Sequence, residues 1–590
     1  MRSRATWAAV TTFGAVAAIV LTALVMSGAE YSWRAGGLRL RVTEYMRPLV
    51  IGGVFAGAAL WLAWPSARGR TIAAAAIAAW SVLVLSAYAR TAAPEFIPTS
   101  DVAVIESYTM FAAEGRLFVG PYSRFGWHHP GPALFYLLAP FHQLAGGRSA
   151  GLSAGALVIN LAAIFVITSI VARAAGASLT LFVSILSLAF IWRASEMLPS
   201  QWNPHVLVLP AMAFLLLCAE MAAGRLWRLP VVAVLGSLIV QTHVGLVPVV
   251  FAVAAAACAM AVAASYRDQT DRRTFGRIVN VTAWMLLAAW LLPLAEEIYR
   301  TPGNLSELWR FFAGEERSGQ TFRLAWRAWA DMLSAVVLPD FRVAWGSLFT
   351  ASGGAWTSLL ALAQMLLLPA IAIRAYRAQQ PFRASLAGLL LLASSVALWS
   401  VTRVEDELYD HAVFWIAGIG VLNMAVILDA VAGAWGRAAA ARLPSIRLTP
   451  ALLGIAVVAV AAAPGIRQLT AIVERSRAPN PEQLTARRLA DQVEEHLRIH
   501  GGCKPLVRLD HPTWPVAAGV LLELQRDAVP YAVEPSWLPM FSDAAGPQGD
   551  ETCVMTIVWP QERLRLEKET GHEPIAERDR FTVFLSRTAP

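Results

Sequence analysis

The sequence predicts a polytopic α-helical membrane protein that ends in a small α/β domain. Three observations carry that expectation. The 590-residue chain is 57% hydrophobic and only 15% charged, with a mean hydropathy of +0.54, a balance that soluble domains rarely reach. Apolar runs of membrane-spanning length recur to about residue 463. Beyond that point polarity rises, and short helix-like and strand-like patterns alternate.

The apolar runs give thirteen expected spans, at 8–28, 47–64, 71–90, 150–172, 174–192, 205–222, 229–243, 245–265, 278–296, 353–372, 384–401, 411–430 and 448–463. The first follows "MRSR" in the manner of a signal peptide. Its end, "VMSGAEYSW", is a weak cleavage site and many spans follow, so it reads as a retained signal anchor.

The formal net charge of +8 does not point to nucleic acid. Lys504 and Lys568 are the only lysines, and the arginines sit mostly in short loops, where they report topology. The bias toward Arg and Ala reads as genome composition. The basic loops 65–70, 224–228, 266–277, 374–383 and 435–447 fall on one side, taken as cytoplasmic; loop 34–47 alone disagrees. Segments 91–149, 193–204, 297–352 and 402–410 then lie outside, together with 464–590. The expected organisation is a transmembrane domain over 1–463, with long outer loops 91–149 and 297–352, and an extracytoplasmic α/β domain over 464–590. Two stretches of the second loop, "LSELWRFFAGEE" and "FRLAWRAWADMLSAVVL", mix aromatics and Arg as interfacial helices do.

In the C-terminal part, 484–498 reads as an amphipathic helix and 515–528 as a second helix. "KPLVRLD", 529–534, 552–559 and 580–586 read as strands, and no nucleotide-binding fingerprint occurs among them. Cys503 and Cys553 lie in this part, and an extracytoplasmic setting allows them a disulfide; two unpaired thiols are the alternative. Cys218 and Cys258 lie in apolar runs and read as packing residues.

The polar residues with chemical potential cluster in the outer loops. Asp101 and Glu106 follow the third span. At i, i+5 on a helix they stand roughly 140° apart and share no face. Asp101 is a candidate general base toward a hydroxyl acceptor, or, like Ser100, a helix cap. Glu106 supports an Arg or a metal, or makes an ordinary ion pair. "GPYSRFGWHHPGP" (120–132) cannot form regular helix, because its prolines and glycines interrupt it. It holds Arg124, His128 and His129 beside Tyr122 and Trp127. Arg offers a planar fork to phosphate; the bland alternative is a structural turn. Glu196, Gln201, Asn203 and His205 in "RASEMLPSQWNPH" suit sugar hydroxyls, or cap a helix connection. Gln241 and His243 in "QTHVG" need a partner or a cavity within an apolar region. In "RVEDELYDHAVFW", Glu405, Asp406, Glu407, Asp410 and His411 bunch with Arg403, to bind an acceptor or a divalent cation, or as a solvated loop cap.

On these motifs, "DVAVIES" followed by "GPYSRFGWHHPGPALFYLLAP", then "QWNPH" and "QTHVG", the chain resembles the membrane-embedded GT-C glycosyltransferases. It looks like an uncharacterised branch distantly similar to mycobacterial arabinofuranosyltransferases. The likeness covers most of 95–300. It implies inverting transfer of a sugar from a polyprenyl-phosphate donor to a glycan or lipid acceptor, at the outer face of a bacterial cytoplasmic (inner) membrane. Asp101 would be the base, with Arg124, His128 and His129 receiving the departing phosphate. The adjacent acid pair of some relatives is missing, so a divalent cation (Mg or Mn) on Asp101 and Glu106 stays an open expectation. Three spans before the acidic loop, where many relatives have one, is a second departure. A transporter or flippase is the main alternative class, and it predicts internal two-fold repeats that the sequence does not display. A different lipid-linked transferase would need a nucleophilic Ser or Thr in a metal-binding outer domain, which is not evident. A non-enzymatic scaffold would tolerate loss of the outer polar residues.

Overall fold

The structure, a computed structural model, describes residues 97–267, 272–314, 319–435, 450–475, 478–500, 502–570 and 573–587, with short stretches between 10 and 85. The chain forms two compact units, one of Met1–Phe96, Pro140–Gly155 and Val473–Ala478, the other of Ile97–Ala139, Ala156–Ile472 and Pro479–Pro590. The first contains an antiparallel hairpin, β1 (Tyr31–Ala35) with β2 (Leu38–Val42). The expected spans 8–28, 47–64 and 71–90 lie largely outside the described residues.

Among the described residues, eight helices are long and apolar enough to cross a membrane: Ser149–Ala174, Asn203–Ala222, Val244–Tyr266, Arg272–Tyr299, Gly354–Arg377, Pro381–Thr402, Asp410–Gly433 and Leu453–Arg475. At about 1.5 Å per residue, the shortest of these covers about 30 Å, the thickness of a bilayer core. Two further expected spans, 174–192 and 229–243, are the apolar helices Ala177–Arg193 and Leu226–Thr242, each too short to reach that length. An apolar helix not anticipated in the first outer loop runs Ala133–Leu144. The last long helix continues through Pro464 to Arg475, past the expected end of the membrane domain at 463.

Burial sorts the helices. Asn203–Ala222 is 94% buried and forms the centre of the bundle, whereas Arg272–Tyr299 is 11% buried and turns Trp284, Leu291 and Leu294 outward. An apolar face left open in this way suits lipid contact. At one end of the bundle the buried Glu220 is held by Arg225 and Arg228, and Asp429 by Arg383. At the other end lie the loops the charge count assigned outside. One of them, 297–352, carries both expected amphipathic helices, Asn304–Ala313 and Phe322–Leu333.

The C-terminal part is a mixed five-stranded sheet in the order β4-β3-β5-β7-β6. β3 (Pro505–Leu509) pairs in parallel with β4 (Ala532–Val533) and β5 (Cys553–Val558). β7 (Phe581–Arg587) runs antiparallel to both β5 and β6 (Ala576–Arg578). Helices Pro481–Ile499 and Trp514–Arg526 match the two predicted ones, and Pro560–Thr570 is a third that the sequence did not announce. The first is opened by a capping box: Asn480 Oδ1 accepts from Gln483 N at 2.8 Å, and Gln483 Oε1 accepts from Asn480 N at 3.1 Å. Cys503 and Cys553 are joined by a disulfide that ties the lead-in of β3 to the start of β5.

The helix Ser100–Ala113, which carries Asp101, packs on this domain rather than lying in the bundle as a span. Ser107 Oγ donates to Gln525 Oε1 at 2.6 Å, Tyr108 Oη donates to the Met540 carbonyl at 2.9 Å, and Arg526 clasps Glu106. The C-terminal domain therefore fixes the position of Asp101.

Candidate functional site: an aromatic cavity with carboxylates and two arginines

A cavity of about 690 Å³ opens where the outer loops meet the C-terminal domain. Its wall draws on the Asp101 helix, the 120–132 loop, Trp202 and Asn203, His243, Phe311 and Phe312, Trp345, the 399–412 segment and Trp514. That size is in the range of small-molecule sites. Every outer segment proposed from loop charge contributes to it.

Asp101 occupies the first turn of its helix. The N-cap residue is Thr99, and it makes no side-chain cap bond, so Asp101 is not the cap that was one of its readings. Ser100 sits in the left-handed region at φ 56°, which brings the helix start in at an angle that non-glycine residues seldom adopt. Tyr122 Oη donates to Asp101 Oδ1. Burial pushes the Asp101 carboxyl above its ordinary value of 3.8, while hydrogen bonds from Tyr122 and Trp202 pull it partly back. Burial and the neighbouring Asp101 charge raise the Tyr122 phenol well above its usual range, so it remains a donor.

The 120–132 loop is a short hairpin. Tyr122 bridges His128 in antiparallel register, Gly120 N donates to His129 O at 3.1 Å, and His129 N donates to Pro121 O at 2.8 Å. The turn closes with Ser123 N to Trp127 O at 3.0 Å, and Gly126 takes φ +86°. Gly131 N donates to Gln241 O at 3.1 Å. A Cβ on Gly120 would stand 2.5 Å from His129 O and 2.8 Å from Gln241 O, so the close approach requires glycine. Asn304 locks the hairpin from the side: its Oδ1 accepts from His128 N at 2.8 Å and its Nδ2 donates to His128 O at 3.0 Å.

The two adjacent histidines part company. Successive residues of an extended strand face opposite sides. His129 lines the cavity; its Nδ1 accepts from Val244 N at 3.0 Å, and its ring stacks on His243 at 5.1 Å. The His243 Nδ1 accepts from Gly245 N at 3.1 Å. With both Nδ1 atoms accepting, each neutral ring carries its proton on Nε2. Burial, and then the His243, His128 and His411 rings, hold His129 well below the usual imidazole range. His128 is absent from the cavity wall. Its Nε2 lies 3.2 Å from the Tyr108 hydroxyl, whose own proton goes to Met540 O, so His128 is the donor. Burial, then the charge of Arg300, lowers it to about 3. Through Tyr108 it links the hairpin to the C-terminal domain.

Arg124 reaches across to the 402–410 segment, where Nη2 donates to the carbonyls of Glu405 at 3.1 Å and Glu407 at 3.0 Å. Its guanidinium lies over Tyr409 at 4.6 Å and Phe125 at 4.8 Å. Arg403, on the same wall, makes no side-chain hydrogen bond or ion pair with another described residue. The Trp127 indole N–H is buried in the wall and finds no acceptor among the described residues.

The remaining predicted residues take other roles. Glu106, fully buried, pairs with Arg526 instead of joining Asp101. Asn203 lines the wall and donates to Thr242 O at 3.3 Å. His205, buried, bridges Ser200 Oγ at 2.8 Å and Ala344 O at 2.5 Å. Gln241 donates to Ala289 O at 2.8 Å behind the hairpin. Glu196 accepts from the Trp345 indole at 3.1 Å. Asp410 accepts from the backbone of Trp345 and Gly346 at 3.2 and 2.9 Å. Asp406 is exposed, at φ 56°. His411 lines the cavity beside Trp202, ring to ring at 5.2 Å. Among the described residues no group of three or more His, Cys, Asp or Glu stands where it can hold a metal ion, and Asp101 and Glu106 do not form a shared donor set. Sequence reasoning assigned no role to Trp202, Trp345, Trp415 and Trp514; a high tryptophan content, 22 in all, was the one signal that aromatic rings line the site.

Fold and site together define a polytopic helical membrane protein with a polar, aromatic cavity beneath a C-terminal α/β domain. No protein family model matches the chain, and no curated protein matches it. Among solved structures it is similar to crystal structures of ArnT from Cupriavidus metallidurans. With undecaprenyl phosphate bound, the identity is 13% and the TM-score 0.44; in the apo state they are 14% and 0.45. Both alignments cover 88% of this chain and 98% of that chain. The likeness is remote, and the functional reading rests on the cavity.

Proposed function

We propose that this chain transfers a sugar from a polyprenyl-phosphate donor to a hydroxyl acceptor, at the outer face of a bacterial cytoplasmic membrane, with the C-terminal domain outside. The observation that carries the reading is the cavity itself: one carboxylate of raised basicity, Asp101, shares a wall with two guanidinium groups, Arg124 and Arg403. A carboxylate that resists ionisation is a better base than an exposed one. A guanidinium with no carboxylate partner is suited to an incoming phosphate.

In the reaction, Asp101 takes the proton of the acceptor hydroxyl while that oxygen attacks the anomeric carbon. The bond from that carbon to the phosphate oxygen breaks, and the electron pair leaves with the polyprenyl phosphate. The phosphate thereby passes from a diester with one negative charge to a monoester with up to two. Arg403, Arg124, the Trp127 N–H and the Nε2–H of His129 and His243 are the groups that receive this added charge. Single displacement inverts the anomeric configuration. Tyr122 fixes one carboxylate oxygen of Asp101 and so orients the base. Each step is assigned to the chain's own residues.

The test is binding of polyprenyl monophosphate to purified protein. Arg403→Ala is expected to weaken it roughly ten- to a hundredfold, the range of one charge-assisted contact. Asp101→Asn is expected to leave it unchanged. Equal binding by wild type and Arg403→Ala would remove the phosphate assignment.

A further inference from the structure

Trp345 is an anomaly on this wall, because its indole is 54% exposed and yet fixed from three sides. Its Nε1 donates to Glu196 at 3.1 Å, its backbone N to Asp410 at 3.2 Å, and the buried His205 ring meets it edge-on at 4.6 Å. Trp202 lies parallel to it, at 5° and 6.1 Å between centroids. Glu196 and His205, which the sequence marked for sugar hydroxyls, and Asp410, which it marked for an acceptor or a cation, are thus spent on holding one ring. Gly346, at φ +83°, keeps the next position bare; a Cβ there would lie 3.8 Å from Trp202 and 3.9 Å from His411. A flat aromatic face held rigid and open to solvent costs stability unless something covers it in use.

We infer that Trp345, backed by Trp202, is the platform on which the sugar ring of the acceptor lies. This rests on the transferase reading and adds the acceptor class: a saccharide with an exposed apolar ring face. The C–H bonds on such a face carry partial positive charge and suit the negative face of an indole. The position gives the assignment to the acceptor rather than the donor. Asp101, Trp202 and Trp345 line the same cavity, so a ring on this platform lies on the wall that carries the base. The guanidinium groups for the donor phosphate come from the hairpin and from the helix end at Thr402.

The experiment is saturation-transfer NMR on the purified full-length protein. The probes are the methyl glycosides of glucose, galactose and mannose (pyranosides) and of arabinose (furanoside). At least one is expected to bind with its strongest signals on ring C–H protons. Binding should weaken about tenfold in Trp345→Ala and persist in Trp345→Phe and Asp101→Asn. Saturating polyprenyl monophosphate should leave the signal in place. No binding by any glycoside, or equal binding by Trp345→Ala, would overturn the platform. Displacement by polyprenyl monophosphate would overturn its assignment to the acceptor. Trp345-dependent binding by a protein that fails to transfer sugar keeps the platform and removes the transferase reading, so the two fail separately.

Discussion

Arg526 and Glu106 stand 420 positions apart in the chain, and the guanidinium holds Glu106 Oε1 from both Nε at 3.1 Å and Nη2 at 2.5 Å. Glu523 completes the arrangement from the next turn of the Arg526 helix, at 2.5 Å. The Glu106 side chain is 1% exposed and that of Arg526 19%. Removing Arg526 takes the cation away from the buried Glu106, whereas removing Glu106 leaves Arg526 on Glu523. Arg526→Ala is expected to cost about 3–5 kcal/mol and Glu106→Ala less, each seen as a lower midpoint of thermal unfolding. The double substitution to leucines is expected to cost less than either alanine variant. Additive losses would show that the pair does not couple the outer domain to the Asp101 helix.

Asp101 sets a pH dependence with two parts. Its carboxyl is raised above 3.8 by burial, so catalysis by the carboxylate should fall as pH drops through a value above the ordinary carboxylate range. The stability sign follows from the same shift. A folded-state pKa above the unfolded one gives stability that is complete below the unfolded pKa and is lost as pH rises through the folded pKa. Asp101→Asn removes that loss. The variant is expected to melt higher than wild type at pH 7, with the difference vanishing near pH 3–4. A melting point at pH 7 equal to or below that of wild type would contradict the buried, charge-penalised state of Asp101.

Gly131 turns the hairpin against the helix end at Gln241. A Cβ there would overlap the Gln241 amide and stand 2.7 Å from Pro293 Cγ. Gly131→Ala is expected to cost about 1–3 kcal/mol from overpacking and to depress turnover, because the same hairpin carries Tyr122 and Arg124. Limited proteolysis at the hairpin, with turnover measured beside it, checks this. Gly388, inside the helix Pro381–Thr402 with open space around it, is the control: its alanine variant meets no neighbour and strains no backbone angle.

The Cys503–Cys553 disulfide closes a loop of 50 residues. Loop-closure entropy gives it about 4 kcal/mol. Cys553→Ser should loosen the C-terminal sheet, detected as faster amide exchange at β3 and β5. Unchanged exchange in both strands would show that the bridge is not what holds them.

The parts of this fold that were legible in the sequence depend on local physics. Runs of about 20 apolar residues announce helices, loop arginines report sides, and Pro and Gly in 120–132 exclude helix. What escaped depends on contacts between distant residues. Nothing near Glu106 pointed to Arg526. Adjacent His128 and His129 looked equivalent, and only the extended backbone separates them. Glu196, His205 and Asp410 were identifiable as important polar residues, but what they hold, Trp345, lies 149, 140 and 65 positions away. Arg403 was masked by four nearby acids, yet those acids leave its side chain to the cavity. Three of the thirteen expected spans, in residues 8–90, lie largely outside the described residues and two more are shorter helices, which leaves the eight long helices found among the described residues.

The most direct test of the central claim is release of polyprenyl phosphate from a polyprenyl-phosphate sugar by protein in liposomes, with an acceptor saccharide outside. Wild type is expected to release polyprenyl phosphate and form a glycoside of inverted configuration. Asp101→Asn should bind the donor and fall at least about a hundredfold in rate, the scale of one general base. Release by Asp101→Asn at the wild-type rate would contradict the account.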